Sequence, residues 1–258
     1  MKSTAKLLSA AALAILAAAG SASAAETPVP AGAKNILIVP GAFVDGSGWR
    51  VVHDILIHKG YTVTVAQERF GSIHDDVALI NQLITRQDGP TVLVGHDYGG
   101  SVISFAGTRQ KVKALVYVAG LQPDIGESAS MLLNSMPAAS DDFRPTLDGK
   151  VVFDRAKFGE DYAGDLSTNR TDFMAASQVP IMAAALAGQV LSSPGAWRGK
   201  PSYGIVATDD RVVSPDLQRW MYHRAGSSVT EIKASHAVYI SQPEQVAAVI
   251  EQAALAAK

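Results

Sequence analysis

Six short runs of apolar and β-branched residues recur along the chain, at Asn35–Val39, Tyr61–Ala66, Thr91–Val94, Ala114–Val118, Ser202–Ala207 and Ser228–Lys233. The first is a continuous apolar run, the pattern of a strand buried on both faces, and the second alternates as a strand does. Segments of helical spacing lie between and after them. Trp49 to His58 reads as a helix closed by Lys59-Gly60, with Gly60 as a left-handed cap. Ile73 to Arg86 carries Val77, Ile80, Leu83 and Ile84 on one face, and Pro243 to Ala257 closes the chain as an amphipathic helix. Strands alternating with helices predict a mostly parallel sheet covered on both faces. This is an α/β chain with no internal repeat.

The interval from about 122 to 194 breaks the alternation. It lacks obvious strand runs and scatters Met131, Met136, Phe143, Phe153, Phe158, Tyr162, Phe173, Met174, Ile181 and Met182 among polar residues. Val179-Pro180 followed by Ile181 to Val190 reads as a helix with proline at its start. The expectation is a helical cap over the carboxyl edge of the sheet, giving a pocket apolar walls and excluding water. The plainer reading is that these residues pack the insertion onto the sheet. The sequence does not sort one group from the other.

The amino terminus is a separate unit. Lys2 and Lys6 precede an apolar stretch from Leu7 to Ala19, and Ala22-Ser23-Ala24 has the small residues of a cleavage site. Residues 1–24 read as a secretory signal peptide, with 25–258 as one domain exported to the periplasm or beyond. The apolar run is too short for a lasting membrane anchor. Its removal takes away two lysines and no acid, so the formal charge moves from −2 to −4. A mildly acidic chain offers no basic stripe to nucleic acid. With no cysteine, the exported chain draws its stability from its core rather than from disulfides. The length suits one large domain, and 48% hydrophobic residues argue for a packed one. A homodimer is left open.

Chemistry concentrates at Thr91-Val-Leu-Val-Gly-His-Asp-Tyr-Gly-Gly-Ser101, which reads as buried strand, sharp turn and helix. Gly95, Asp97 and Gly99 fit a Gly-x-nucleophile-x-Gly elbow, where a Cβ on either glycine would clash with the neighbouring strand or helix. The residue most often found at the centre is serine; here it is Asp97. No histidine or carboxylate cluster has metal-ligand spacing, and the glycines lack the lysine of a phosphate loop, so no metal or cofactor is expected.

With three further segments the chain resembles the α/β-hydrolase superfamily, most of all small bacterial hydrolases related to the plant methylesterase and hydroxynitrile lyase group. The matching pieces are Val39-Pro-Gly-Ala-Phe-Val-Asp-Gly-Ser-Gly-Trp49, the elbow, Ile205-Val-Ala-Thr-Asp-Asp-Arg-Val-Val213 and Ala234-Ser-His-Ala-Val238, in that order and each at a strand end. The resemblance implies the α/β-hydrolase fold and a catalytic set in the order nucleophile, acid, histidine: Asp97, Asp210 and His236. His236 would be the base and Asp210 its orienting acid, with Asp209 as a neighbour and Asp124 as an alternative acid position in some branches. The oxyanion donors would be the backbone N–H groups of Ala42 and Tyr98. The family usually has His-Gly before Ala42, whereas this chain has Pro40-Gly41. His96 is expected to be structural, and His53, His58, His74 and His223 to be bystanders on or beside helices.

Asp97 redirects the chemistry. A carboxylate attacking an acyl carbon would give an unfavourable anhydride, whereas displacement at an alkyl carbon gives an ester that an activated water can hydrolyse. The superfamily's epoxide hydrolases and its haloalkane and haloacetate dehalogenases use an elbow aspartate in this way, which implies cofactor-independent cleavage of C–O or C–halogen bonds in a small, largely apolar substrate. Their supporting residues are incomplete here. Tyr162 is the only tyrosine of the expected cap, and Tyr98 stands where those dehalogenases have tryptophan or arginine; Trp197 is read as a packing residue. The other reading is an esterase-like protein silenced by Asp97, which binds a small ligand or retains residual ester hydrolysis. Aspartate is also simply a favoured helix N-cap.

Overall fold

The computed structural model describes residues 31–257, so the expected signal peptide lies outside the described residues. All six expected runs are strands of one parallel sheet. They are β1 (Asn35–Val39), β2 (Thr62–Val65), β3 (Thr91–His96), β4 (Val112–Val118), β8 (Ser202–Ala207) and β9 (Ser228–Ile232), in the spatial order β2-β1-β3-β4-β8-β9. Strands β1, β3 and β8 are buried at every position, which is why their sequences are apolar rather than alternating.

The strand order sets the place of the site. From β1 the chain steps outward to β2; from β3 it steps the other way, to β4. Right-handed crossovers taken in opposite directions put their helices on opposite faces of the sheet. Accordingly α1 (Arg50–His58) packs with the closing helix Pro243–Ala256, and α2 (Ile73–Arg86) packs with α3 (Tyr98–Ala106). The reversal leaves a crevice beyond the carboxyl ends of β1 and β3, where open α/β sheets bind their ligands. Register carries Val39 to the level of Gly95, and His96 to that of Val118, so the loops after β1, β3 and β4 open at one level.

The ends of the helices are fixed by their sequence. Ser72 caps α2 by accepting the Asp75 N–H. Helix α7 (Pro215–Ala225) begins on a proline and ends at Gly226, whose φ of 66° is the left-handed conformation that closes a helix.

The insertion between β4 and β8 is not all-helical as the sequence suggested. It holds α4 (Ala129–Ser135), α5 (Thr168–Ala176) and α6 (Ala183–Ala187), but also a three-stranded antiparallel sheet of β5 (Phe143–Pro145), β6 (Lys150–Phe153) and β7 (Ile181–Met182). The helix expected from Ile181 to Val190 is reduced to α6, and its first two residues pair with β6. These strands are too short for the alternation of a strand to register. Their local signal is Asp148-Gly149 between β5 and β6, with Gly149 at φ 79°, a turn combination that favours hairpins.

Candidate active site

Four loops at the carboxyl ends of the sheet deliver the site: after β1 comes Ala42, after β3 Asp97, after β8 Asp210 and after β9 His236. Asp97 occupies a one-residue turn between strand and helix, at φ 47° and ψ −122°. Such a backbone costs about 1–3 kcal/mol and persists only where the surroundings over-determine it. Glycine supplies that enclosure. A Cβ at Gly95 would lie 2.5 Å from the Gly99 carbonyl oxygen, and one at Gly99 would lie 2.3 Å from that of Val39. The strand-to-helix bend can therefore close this tightly only with glycine at both places.

Asp97 is buried, and its two carboxylate oxygens have different surroundings. Oδ2 accepts the Ala42 backbone N–H at 2.8 Å. Oδ1 faces His236 Nε2 at 3.9 Å, beyond hydrogen-bond reach. Burial raises the Asp97 pKa above the ordinary carboxylate value; the His236 charge and the Tyr98 and Ala42 N–H groups oppose that rise. One oxygen of Asp97 thus sits in the amide cradle that, beside an elbow serine, would hold a substrate's oxyanion.

His236 is fully buried. Its Nδ1 lies 2.7 Å from Asp210 Oδ2. Asp210 is itself fixed, with Oδ1 accepting the Val212 and Val213 N–H groups at 2.8 and 2.9 Å and Oδ2 accepting Gln218 Nε2 at 2.8 Å. An ionised carboxylate only accepts, so His236 Nδ1 carries a proton and Nε2 is the working nitrogen. Burial pulls the His236 pKa down, but the charge and hydrogen bond of Asp210 and the charge of Asp97 outweigh it, and the net shift is upward. His236 Nε2 has no hydrogen-bond partner among the described residues.

The neighbouring residues separate by position. Asp209 is exposed and contributes a backbone N–H to the Ala234 carbonyl. Asp124 lies elsewhere, bound to Arg198 and to the Gly195 N–H. His96 is buried with Nε2 3.0 Å from the His236 carbonyl, and burial followed by the His236 charge holds its pKa well below the ordinary value. It is therefore neutral and ties the histidine loop to the elbow. Tyr98 is turned away from the reaction site, its hydroxyl donating to Asp76 Oδ2 at 3.1 Å. Trp197 is buried and donates to the Pro123 carbonyl.

Two contributions were not visible in the sequence. Gln218, one turn into α7, holds Asp210 and also donates to the Val213 carbonyl; its only signal was a polar residue on the buried face of an amphipathic helix. Tyr162, considered above among cap tyrosines, donates its hydroxyl to the Ala42 carbonyl at 3.2 Å, and its ring stands edge-on to His236 at 4.8 Å. With Val179, whose N–H bonds the Phe43 carbonyl at 3.1 Å, it anchors the loop that carries the Ala42 donor. Phe43 holds φ 68° in that loop. Cap and core thus meet where this chain has Pro40-Gly41 in place of His-Gly. Gly41 leaves no room for a side chain there: a Cβ would come within 2.6 Å of both Asp97 Cβ and His96 Nδ1.

A cavity of about 170 Å³ opens over Asp97 and Ala42. Phe43, Leu133, Phe143, Val151 and Leu186 give it apolar walls, and Ser130 and Asn134 add polar groups from α4. A buried carboxylate, a base 3.9 Å away with an orienting acid, and a small apolar chamber can support nucleophilic displacement followed by hydrolysis. Among the described residues no helix is long and apolar enough to cross a membrane.

The profile of the alpha/beta hydrolase family matches residues 36–249. A pyrethroid hydrolase of Sphingobium wenxiniae is 26% identical over 251 residues, covering 84% of this chain and 86% of that protein. Methylesterase 2 of Arabidopsis thaliana is 26% identical over 224 residues, covering 74% and 83%. Among solved structures, tomato methylketone synthase I complexed with 2-tridecanone superposes with a TM-score of 0.75 at 18% identity, covering 88% of this chain and 99% of that one. A pyrethroid hydrolase from Sphingobium faniae gives 0.72 at 23% identity, covering 87% and 98%. At such identities the structural likeness speaks for the fold.

Proposed function

The chain belongs to the alpha/beta hydrolase family and is a hydrolase, and from that premise we propose that it hydrolyses a small, largely apolar substrate through an alkyl ester on Asp97. The observation that carries this reading is the division of labour between the Asp97 oxygens. Oδ2 is held by the Ala42 N–H, while Oδ1 is the oxygen turned to the His236 side. Attack by Oδ1 on an alkyl carbon leaves Oδ2 as the carbonyl oxygen of the new ester, already in its cradle. Water deprotonated by His236 Nε2 then adds to the Asp97 carboxyl carbon, and negative charge builds on Oδ2 beside the amide donors. Collapse expels the alcohol, which takes its proton from His236, and restores the carboxylate. Asp210 stabilises the imidazolium throughout. The same geometry disfavours acyl transfer, because the oxygen of Asp97 fills the place a substrate's acyl oxygen would need.

The test is to trap the intermediate. His236→Gln removes the base that hydrolyses the ester, so incubation with epoxides, alkyl halides and carboxylic esters should load the peptide bearing Asp97 with an alkyl mass. A folded variant that gains no adduct from any of them refutes the reading. In that event the second reading takes its place: an esterase framework silenced at the elbow, left as a small-ligand binder or with residual ester hydrolysis. Asp97→Ser should then recover carboxylic ester hydrolysis. Export to the periplasm or beyond belongs to the same proposal and is supported by the leader-like sequence of residues 1–24.

A further inference from the structure

The polar lining of the Asp97 cavity narrows the substrate class, on the premise that Asp97 is the nucleophile. Displacement at carbon needs something to receive the departing atom. Apart from Asp97, the side chains lining the cavity are apolar except for Ser130 and Asn134. These two lie four positions apart on α4, so they share one face of that helix. Among the described residues neither side chain is engaged in a hydrogen bond, unlike Ser128 and Ser135 of the same segment, which bond to backbone. Tyr98, which follows the nucleophile, is committed to Asp76 and faces away.

Neither donor is an acid. A hydroxyl and a carboxamide can hydrogen-bond to a leaving anion but do not give up a proton near neutral pH. The phenols close to the elbow supply none either: Tyr98 is committed to Asp76, Tyr162 spends its hydroxyl on the Ala42 carbonyl, Tyr239 lines a different cavity, and burial pushes the pKa of each upward. An epoxide opened by Asp97 would leave a strongly basic alkoxide with no acid to meet it. A halide leaves as a stable ion and needs only donors. No lysine or arginine lines the cavity, and the buried Asp97 charge repels a second carboxylate, so a halo-acid finds no partner. At about 170 Å³ the chamber is below the roughly 300–1,000 Å³ of pockets for drug-sized ligands.

We infer that Ser130 and Asn134 form the leaving-group site of Asp97, and that the substrate is a short, uncharged alkyl halide. The Oδ1 lone pair forms the C–O bond, and the C–halogen pair departs with the halide, which accepts hydrogen bonds from Ser130 Oγ–H and Asn134 Nδ2–H. After hydrolysis the balance is alkyl halide plus water to alcohol, halide and one proton.

The probes are n-butyl chloride, n-butyl bromide and butylene oxide, followed by halide release and by alcohol or diol formation. The wild type should release halide and leave the epoxide at least tenfold slower. Ser130→Ala and Asn134→Leu should each lower the chloride rate about ten- to hundredfold, the range for a hydrogen bond to a charged group. They should lower the bromide rate less, because a better leaving group needs less help. A change in that chloride-to-bromide ratio is the signature a merely structural role would not produce. If the bromide is inert while His236→Gln collects an epoxide adduct on Asp97, the leaving-group assignment fails and the aspartate mechanism stands. The assignment also fails if both variants turn over chloride and bromide like wild type. If no substrate forms an adduct, both fall together.

Discussion

Tyr162→Phe separates two roles that one tyrosine could play beside an elbow aspartate. The substitution deletes a buried hydroxyl that donates to the Ala42 carbonyl at 3.2 Å and leaves the ring in place, stacked on Phe158 at 4.6 Å and edge-on to His236 at 4.8 Å. No cavity opens, so the loss is one hydrogen bond and a less satisfied carbonyl, about 1–2 kcal/mol. In a domain of this size that lowers Tm by roughly 2–8 °C, at about 2–4 °C per kcal/mol. The activity effect should be small and blind to substrate. Removing a whole oxyanion donor costs about 10²–10³ in kcat, whereas here the Ala42 N–H stays and only the loop behind it relaxes, so less than about tenfold is expected. Differential scanning calorimetry and kcat/KM on a halide and an epoxide together decide the matter. If Tyr162 were instead a proton donor, epoxide turnover alone would fall by about 10²–10⁴. That selective loss with an unchanged Tm would refute the tether.

Three other substitutions probe the frame. Gly41→Ala drives a methyl to within 2.6 Å of Asp97 Cβ and His96 Nδ1, and should lower stability by about 1–3 kcal/mol in urea denaturation while losing most activity. Asp210→Asn removes the charge that raises His236; the rising limb of the kcat–pH profile should move to lower pH, and its plateau should fall by roughly 10⁴ as the imidazole loses its orienting acceptor. Asp124, lowered to about 2 first of all by its hydrogen bond to Arg198, contributes stability that is fully present above its unfolded pKa and is lost as pH falls through about 2. Asp124→Ala should therefore cost about 2 kcal/mol near neutral pH and much less at pH 2, by denaturant titration at both.

What the sequence made legible follows the length scale of each signal. A strand buried on both faces, such as Asn35–Val39, announces itself by composition, and the six strands of the main sheet lie where the apolar runs are. The elbow was legible because its glycines answer a steric demand set within a few residues of each other. Asp210 stands beside His236 where the resemblance put the acid, with Asp209 turned to solvent and the Val212 and Val213 N–H groups bound to Asp210 Oδ1. The small sheet of the insertion was not legible. Two to four residues per strand cannot establish a period of two, and Val179-Pro180 imitates a helix start where Val179 instead pairs with Phe43. Contacts between distant segments were beyond reach altogether. Nothing local to Tyr162 points to Ala42, 120 positions away.

The carboxylate at the elbow is held between opposing demands, and that balance bears on mechanism. Attack requires Asp97 ionised and water activation requires His236 neutral, yet the surroundings raise the pKa of both. Each shift works against activity in acid, and neither produces a loss in alkali. Separated by 3.9 Å, the two groups feel each other's charge and titrate as a pair rather than one by one. Protonating Asp97 should stop ester formation and protonating His236 should stop its hydrolysis, so kcat should climb as His236 loses its proton, and kcat/KM should climb with pH through a midpoint above the ordinary carboxylate value of about 4, then level off. A mechanism that needed an acid to meet the leaving group would bend that profile down again at high pH. A kcat/KM profile with a rising limb alone would be the solution counterpart of the proposed site, in which two neutral donors rather than an acid receive the leaving group.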